Sequence, residues 1–244
     1  KDIKVFGFDR DRDALARSEA RHSGKGDVTY INESFRGMDT VLQQRGITSV
    51  DKVLLDLGLS SDQFESSGRG FTFQKDEPLL MTMKAKLEPA DLTARTIVNT
   101  WEAENIETIL TSYGEERFAR RIATTIVQAR EKTPIETTFQ LVEIIKRATP
   151  FAYHRGRIHP ATKTFQALRI TVNDEIGALM SGLDKGFRLL RSKGRMAVIS
   201  FHSLEDRVVK QFFRKQSDEG YGILITKRPL VASEEEVKEN PRSR

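Results

Sequence analysis

The run Val53-Leu54-Leu55-Asp56-Leu57-Gly58-Leu59-Ser60-Ser61-Asp62-Gln63 does most to limit what this chain can become. Three consecutive large aliphatics suit a strand buried on both faces, as in a parallel sheet. A carboxylate, a glycine and two serines come next, so the strand ends in a polar loop. In open α/β sheets, ligands lie outside the carboxyl ends of the strands. That rule puts Asp56 where a ligand would sit, and Gly58 lets the backbone approach it. Taken alone, the run is equally an ordinary strand-to-loop turn.

The flanking sequence supplies the context. Residues 3–8 read as a strand ending at Asp9. Residues 11–22 read as a helix, with Asp11 or Asp13 near its start and Arg21 and His22 near its end, the charge order that the helix dipole favours. Gly24-Lys25-Gly26 breaks the chain. Residues 28–31 form a short strand followed by Asn32, Ser34 and Phe35, and residues 38–44 are helical until Gly46 stops them. The order β-α-β-α-β predicts a parallel, doubly wound sheet.

From about residue 62 to residue 160 the alternation stops. Gly68-Arg69-Gly70-Phe71-Thr72-Phe73 is a glycine- and aromatic-rich loop. Helical periodicity then covers residues 102–112, 115–130 and 137–147, and the last opens with Thr137 and Gln140 at capping-box spacing. Beyond it, Phe165, Leu168, Val172, Ile176, Leu179, Leu183, Phe187 and Leu190 predict one long amphipathic helix. A strand at 196–201, a helix opened by Ser203-Leu204-Glu205-Asp206, a last strand at 221–226 and a solvated helix at 233–239 complete the pattern. The expected organisation is therefore a sheet domain made of residues 1–63 and 160–244, interrupted by a mainly helical subdomain at 64–159.

Composition excludes several classes. The 244 residues are 38% hydrophobic and 31% charged, enough for a sizeable core with a smaller domain beside it. No stretch is apolar for long enough to cross a membrane, and no signal peptide is evident. Cys is absent, which removes disulfides and thiolate metal sites and suits the cytoplasm. His22, His154, His159 and His202 form no metal-ligand pair, so no metal is expected. The chain begins at Lys1 with a strand immediately after it, and stops abruptly after Asn240-Pro241-Arg242. Both ends of a longer natural chain are expected to lie outside it.

Several residues suit chemistry. Asp9 closes the first strand, where an acid typically binds ribose hydroxyls. A helix N-cap is the competing role, and ribose binding would not separate NAD from S-adenosyl-L-methionine. Neither a G-x-G-x-x-G motif nor a P-loop is present. His202 ends a predicted strand and serves equally as a catalytic or a structural histidine; a Ser-His-Asp hydrolase lacks its G-x-S-x-G elbow. The segment 144–173 has no acid but holds Lys146, Arg147, Arg155, Arg157, Lys163 and Arg169, with Phe151, Tyr153 and Phe165 interleaved. With a net charge of +5, this composition suits gripping phosphates and stacking bases. A solvated face plus core aromatics is the plainer alternative, and Phe165 fits the core stripe.

Several long motifs in one order then carry a resemblance. They are Gly7-Phe8-Asp9-Arg10-Asp11, Leu54-Leu55-Asp56-Leu57-Gly58-Leu59-Ser60-Ser61, Arg69-Gly70-Phe71-Thr72-Phe73 and Tyr113-Gly114-Glu115-Glu116-Arg117, followed by His159-Pro160-Ala161-Thr162-Lys163-Thr164-Phe165-Gln166-Ala167-Leu168-Arg169 and Ile199-Ser200-Phe201-His202-Ser203-Leu204-Glu205-Asp206-Arg207. In these the chain resembles the bacterial 16S ribosomal RNA cytosine-N4 methyltransferases nearly end to end. The resemblance implies an α/β class I, Rossmann-like methyltransferase sheet with an inserted helical RNA-recognition subdomain. It implies S-adenosyl-L-methionine as cofactor, 16S rRNA or the small ribosomal subunit as partner, and a cytoplasmic setting; a homodimer is compatible with it. Asp9, Phe35, Asp56 and Gln63 would hold the cofactor. Asp56, Ser60 and His202 would serve catalysis. Arg69, Arg155, Arg157, His159, Lys163 and Arg169 would face RNA. The family's glycine-rich first loop would lie before Lys1. Where the family usually has Pro-Leu-Asp-Met-Arg-Met, this chain has Pro78-Leu79-Leu80-Met81-Thr82-Met83. That departure motivates an alternative, a catalytically impaired assembly factor of the same fold. A nicotinamide oxidoreductase is the other alternative, supported only by the sheet and Asp9.

Overall fold

In a computed structural model, residues 3–24, 26–60, 63–64, 67–84, 86–240 and 243 are described. Lys25 in the predicted chain break, Ser61 and Asp62 in the loop after the central strand, and Pro241 and Arg242 near the end lie outside them. The chain divides into two compact units, one made of Lys1–Phe35 with Leu59–Ala178, the other of Arg36–Gly58 with Leu179–Arg244.

In the first unit, β1 (Lys4–Phe8) and β2 (Asp27–Ile31) pair in parallel, Phe8 opposite Ile31, with α1 (Arg12–His22) as the crossover. Asp11 caps α1, accepting the N–H groups of Asp13 and Ala14, while Arg21 and His22 sit in its last turn. This satisfies two donors that the helix itself leaves open.

The rest of this unit is helical: α3 (Ala94–Thr100), α4 (Ala103–Gly114), α5 (Ala119–Arg130), α6 (Thr138–Ala148), the single turn α7 (Phe151–His154) and α8 (Thr162–Asn173). Ile97, Ile106, Leu110, Ile122, Ile126, Leu141, Ile145 and Leu168 are fully buried in one core. The expected capping box is present, Gln140 N–H to Thr137 Oγ1 and Thr137 N–H to Gln140 Oε1. The helix predicted from 115 begins only at Ala119, because Glu115 takes a left-handed φ of 49° that ends α4.

In the second unit, after a 3-10 turn at Phe35–Gly37, come α2 (Met38–Gln43), β3 (Val50–Asp56), β4 (Leu190–Ile199), α10 (Ser203–Asp218) and α11 (Glu234–Glu239). Strand β4 is entered from α9 (Glu175–Leu189). β3 and β4 are parallel, Asp56 opposite Ile199. Leu55 and Leu57 are buried, whereas Leu54 is 65% exposed. The aliphatic run is therefore half-buried, with alternate residues turned outward. Helix α9 covers the inner face: a Cβ at Gly186 would lie 3.2 Å from Val53 Cγ1 and 3.3 Å from Met196 Cε, so glycine gives the closest approach without pushing these side chains aside.

Parallel pairing with crossover helices bears out the coarse α/β expectation, in the form of two two-stranded sheets among the described residues. The single long helix does not form. Asp174 adopts φ 47° and separates α8 from α9; aspartate tolerates this conformation better than most residues. Residues 221–226 are not a strand either. The N–H groups of Tyr221 and Gly222 turn back to Gln216 O to close α10, and Ile223 and Ile225 stand 90% and 71% exposed.

Candidate active site

At the carboxyl end of β1, Asp9 extends the ladder with its N–H on Ile31 O at 3.1 Å. Its carboxylate accepts the Asp11 N–H at 2.8 Å, and Asn32 Nδ2 donates to its carbonyl at 3.0 Å. Among the described residues no side chain donates to this carboxylate. Partial burial raises its pKa, opposed by the backbone N–H groups of Asp11 and Arg10. Asp11, not Asp9, caps α1, so the cap leaves the Asp9 carboxylate available for another donor. Half-buried Phe35 follows the end of β2. A carboxylate for ribose hydroxyls and a flat apolar ring suit a nucleoside such as that of S-adenosylmethionine.

Asp11 is the hub of this end of the unit. It is 2% exposed. Oδ2 accepts Gln63 Nε2 at 2.8 Å and Arg69 Nη2 at 2.9 Å. Burial pushes its pKa up, but the hydrogen bonds from Gln63, Arg69 and Ala14 N–H outweigh that and hold the carboxyl below its usual value. Gln63 is buried and spends its other amide atom on Ser60 N–H at 3.1 Å, while Ser60 Oγ accepts Gln63 N–H at 3.2 Å. This reciprocal pair is a capping box of the pattern S-x-x-Q. Its spacing alone makes that pattern readable in the sequence. Ser60 and Gln63 therefore carry the shape of the loop as well as any contact to a ligand.

Arg69 corrects the expectation of an RNA-facing cation. Its side chain is 14% exposed. It pairs with Asp11, donates Nη1 to Lys84 O at 3.0 Å and lies over the Phe71 ring. Its own carbonyl accepts Met81 N–H at 2.7 Å. The divergent stretch is held through its backbone too: Leu79 O and Leu80 O accept the N–H groups of Arg95 and Ala94 at the start of α3, and Asn173 grips the Met81 carbonyl and the Met83 N–H. Thr82 is buried.

In the second unit, Asp56 ends β3 and is exposed, with its pKa raised by partial desolvation. Gly58 has φ 83°, and a Cβ there would stand 3.5 Å from Phe201 Cδ2. The carboxyl end of β3 thus meets the segment after β4. His202 in that segment caps α10, Nδ1 accepting the Glu205 N–H at 3.4 Å, with Nε2 3.3 Å from Glu205 Oε1. Glu205 is 2% exposed and also accepts the Phe201 N–H. The structural role left open for His202 is therefore filled.

The remaining residues expected to face RNA belong to the first unit. Arg155 and Arg157 are exposed. His159 stacks on Phe73 with ring centroids 4.4 Å apart and accepts the Ala161 N–H on Nδ1. Burial, then the charges of Lys146 and His154, lower its pKa. It is a neutral Nε2 donor, not a cation. Lys163 donates to Glu115 O at 2.7 Å, and Arg169 makes two bonds to Glu175 at 2.8 and 2.9 Å.

Among the described residues, no helix is long and apolar enough to cross a membrane. The model of the MraW methylase family matches residues 1–244. The ribosomal RNA small subunit methyltransferase H of Deinococcus deserti is 51% identical over 242 residues, covering 98% of this chain and 76% of that protein. Its namesake in Symbiobacterium thermophilum is 46% identical over 259 residues, covering 100% and 80%. That of Deinococcus radiodurans is 49% identical over 242 residues, covering 98% and 73%.

Proposed function

The chain belongs to the MraW methylase family, and from that premise we infer that it methylates the N4 amino group of a cytidine in small-subunit (16S) ribosomal RNA. The observation that carries this reading is the match over the whole chain, together with relatives at 44–51% identity that share one name. Bound S-adenosylmethionine supplies an electrophilic methyl group on a sulfonium. A class I sheet, a cytoplasmic setting and the helical segment 64–159 as the part that recognises RNA complete the proposal.

The residues take the following roles. Asp9 would accept from the ribose hydroxyls of the cofactor and Phe35 would hold its adenine. Gln63 and Ser60 hold the loop that follows Asp56. The cytosine N4 lone pair is delocalised into the ring, so the nitrogen is a weak nucleophile that must be held in line with the carbon it attacks. Transfer of the methyl from the sulfonium would leave positive charge on nitrogen, and an acceptor facing the amino hydrogens would stabilise it. Asp56 is that acceptor; the proton then leaves to it or to water. His202 positions the segment after β4 through its cap on α10. Arg155, Arg157 and His159 meet the RNA, which presents an unstacked base most readily from a single strand.

The test is transfer of labelled methyl from S-adenosylmethionine to small ribosomal subunits or their RNA, with nucleoside mass analysis of the product. N4-methylated cytidine is expected. Label on another nucleoside, or none with a chain that binds the cofactor, rejects the reading.

A further inference from the structure

Phe151 is a large apolar ring held out into water. It is 68% exposed at the start of the single turn α7. The turn beneath it is pinned. Tyr153 donates its hydroxyl to Glu116 Oε2 at 2.7 Å and packs edge-on against Phe118 with centroids 5.0 Å apart. His154 Nε2 lies 2.9 Å from Thr149 Oγ1. Glu116 is itself 3% exposed and accepts the Phe118 N–H as well. The turn that carries the ring is therefore held by part-buried contacts of Tyr153 and His154.

Its surroundings are cationic. The Arg155 guanidinium carbon lies 4.7 Å from the Phe151 ring centroid, and the His154 ring stands edge-on at 6.1 Å. Arg157 is exposed two residues on, with no hydrogen bond or ion pair among the described residues. Lys146, Arg147, Lys163 and Arg169 of the same acid-free segment are engaged with Glu143, Glu143 O, Glu115 O and Glu175 respectively. Arg155 and Arg157 are the two cations of that segment left exposed without such a bond among the described residues.

We propose that Phe151, backed by Arg155 and flanked by Arg157, is a stacking platform for an unpaired nucleotide of the RNA substrate, distinct from the cytidine that receives the methyl group. This rests on RNA being the substrate. The chemistry fits no apolar partner: a guanidinium on one face of the ring and a further exposed arginine six residues on in the chain select a planar group attached to a phosphate. A nucleobase meets both requirements, the base stacking on the aromatic and guanidinium planes and its backbone phosphate pairing with Arg157.

The probe is a fluorescein-labelled oligocytidine of about twelve nucleotides, compared with an abasic strand of the same length. Phe151→Ala should weaken oligocytidine binding by about tenfold, leave its salt dependence unchanged and leave abasic binding unaltered. Phe151→Trp should restore the affinity. Arg157→Ala should weaken both strands and reduce the salt slope by about one. The ring is exposed, so thermal unfolding should coincide with wild type and any loss belongs to binding. Unchanged oligocytidine affinity in Phe151→Ala, or an equal loss on the abasic strand, overturns the platform. So does a loss seen with intact small subunits but not with RNA, which would make the ring a protein-docking contact. Wild-type methyl transfer measured alongside keeps the two readings apart: transfer with an indifferent Phe151 sinks only the platform, whereas absent transfer sinks the function.

Discussion

Arg69 Nη2 lies 2.9 Å from Asp11 Oδ2, with the two side chains 14% and 3% exposed. The pair joins the cap of α1 to the glycine-rich loop, and Asp11 in turn donates its N–H to the carboxylate of Asp9. The geometry of Asp9 is thus tied to the same buried ion that anchors the loop. Replacing Arg69 by Met leaves a buried carboxylate short of its partner and should cost about 3 kcal/mol of stability. Arg69→Lys should recover only part, since an ammonium cannot also reach Lys84 O in the fork geometry. Urea unfolding of the two variants checks both.

The same carboxylate gives a pH dependence. The pKa of Asp11 is lower in the folded chain than its ordinary value of 3.8. The unfolded chain therefore binds the proton more readily, and stability is fully present above the ordinary value. It is lost as pH falls through that value towards the folded pKa. Asp11→Asn should flatten this acid limb relative to wild type in a series of denaturation midpoints.

Asp56→Ala should lower methyl transfer by about two orders of magnitude or more. Because the side chain is exposed, the thermal midpoint should not move. Turnover at the wild-type rate would remove Asp56 from the mechanism. Asp9→Ala should instead raise KM for S-adenosylmethionine more than it lowers kcat, a split that steady-state kinetics reads directly.

Tyr153→Phe removes the donor to a buried acceptor. Glu116 Oε2 then faces the interior unpaired, at a cost of about 2 kcal/mol. Equilibrium unfolding gives the number. A loss well under 1 kcal/mol, on the scale of about 1–3 for such groups, would mean that water replaces the hydroxyl.

Local chemistry made much of this legible. Asp11 capping α1, the Thr137–Gln140 box and the parallel strands all follow from residues close together or from simple periodicity. The Ser60–Gln63 box is equally local, a serine and a glutamine three apart. The Asp11–Arg69 pair was out of reach, since 58 residues separate its members and no spacing rule selects one arginine among many. The break at Asp174 was hidden for another reason: the apolar spacing continues through it unchanged, and only the backbone angle and the clamp of Asn173 on the 81–83 backbone interrupt the helix. Exposed Leu54 shows the limit of hydrophobicity alone, which counts apolar residues but does not say how many faces of a strand are covered.

β3 finds its partner β4 only after the intervening residues 57–189. Closing so long a loop is entropically costly and slows pairing, so the contact order of this sheet is high. During synthesis β3 leaves the ribosome long before β4 exists. The helical core between them is local and can fold first, shortening the effective loop. A variant that unsettles that core should then delay maturation of the sheet even where every residue of the sheet is intact.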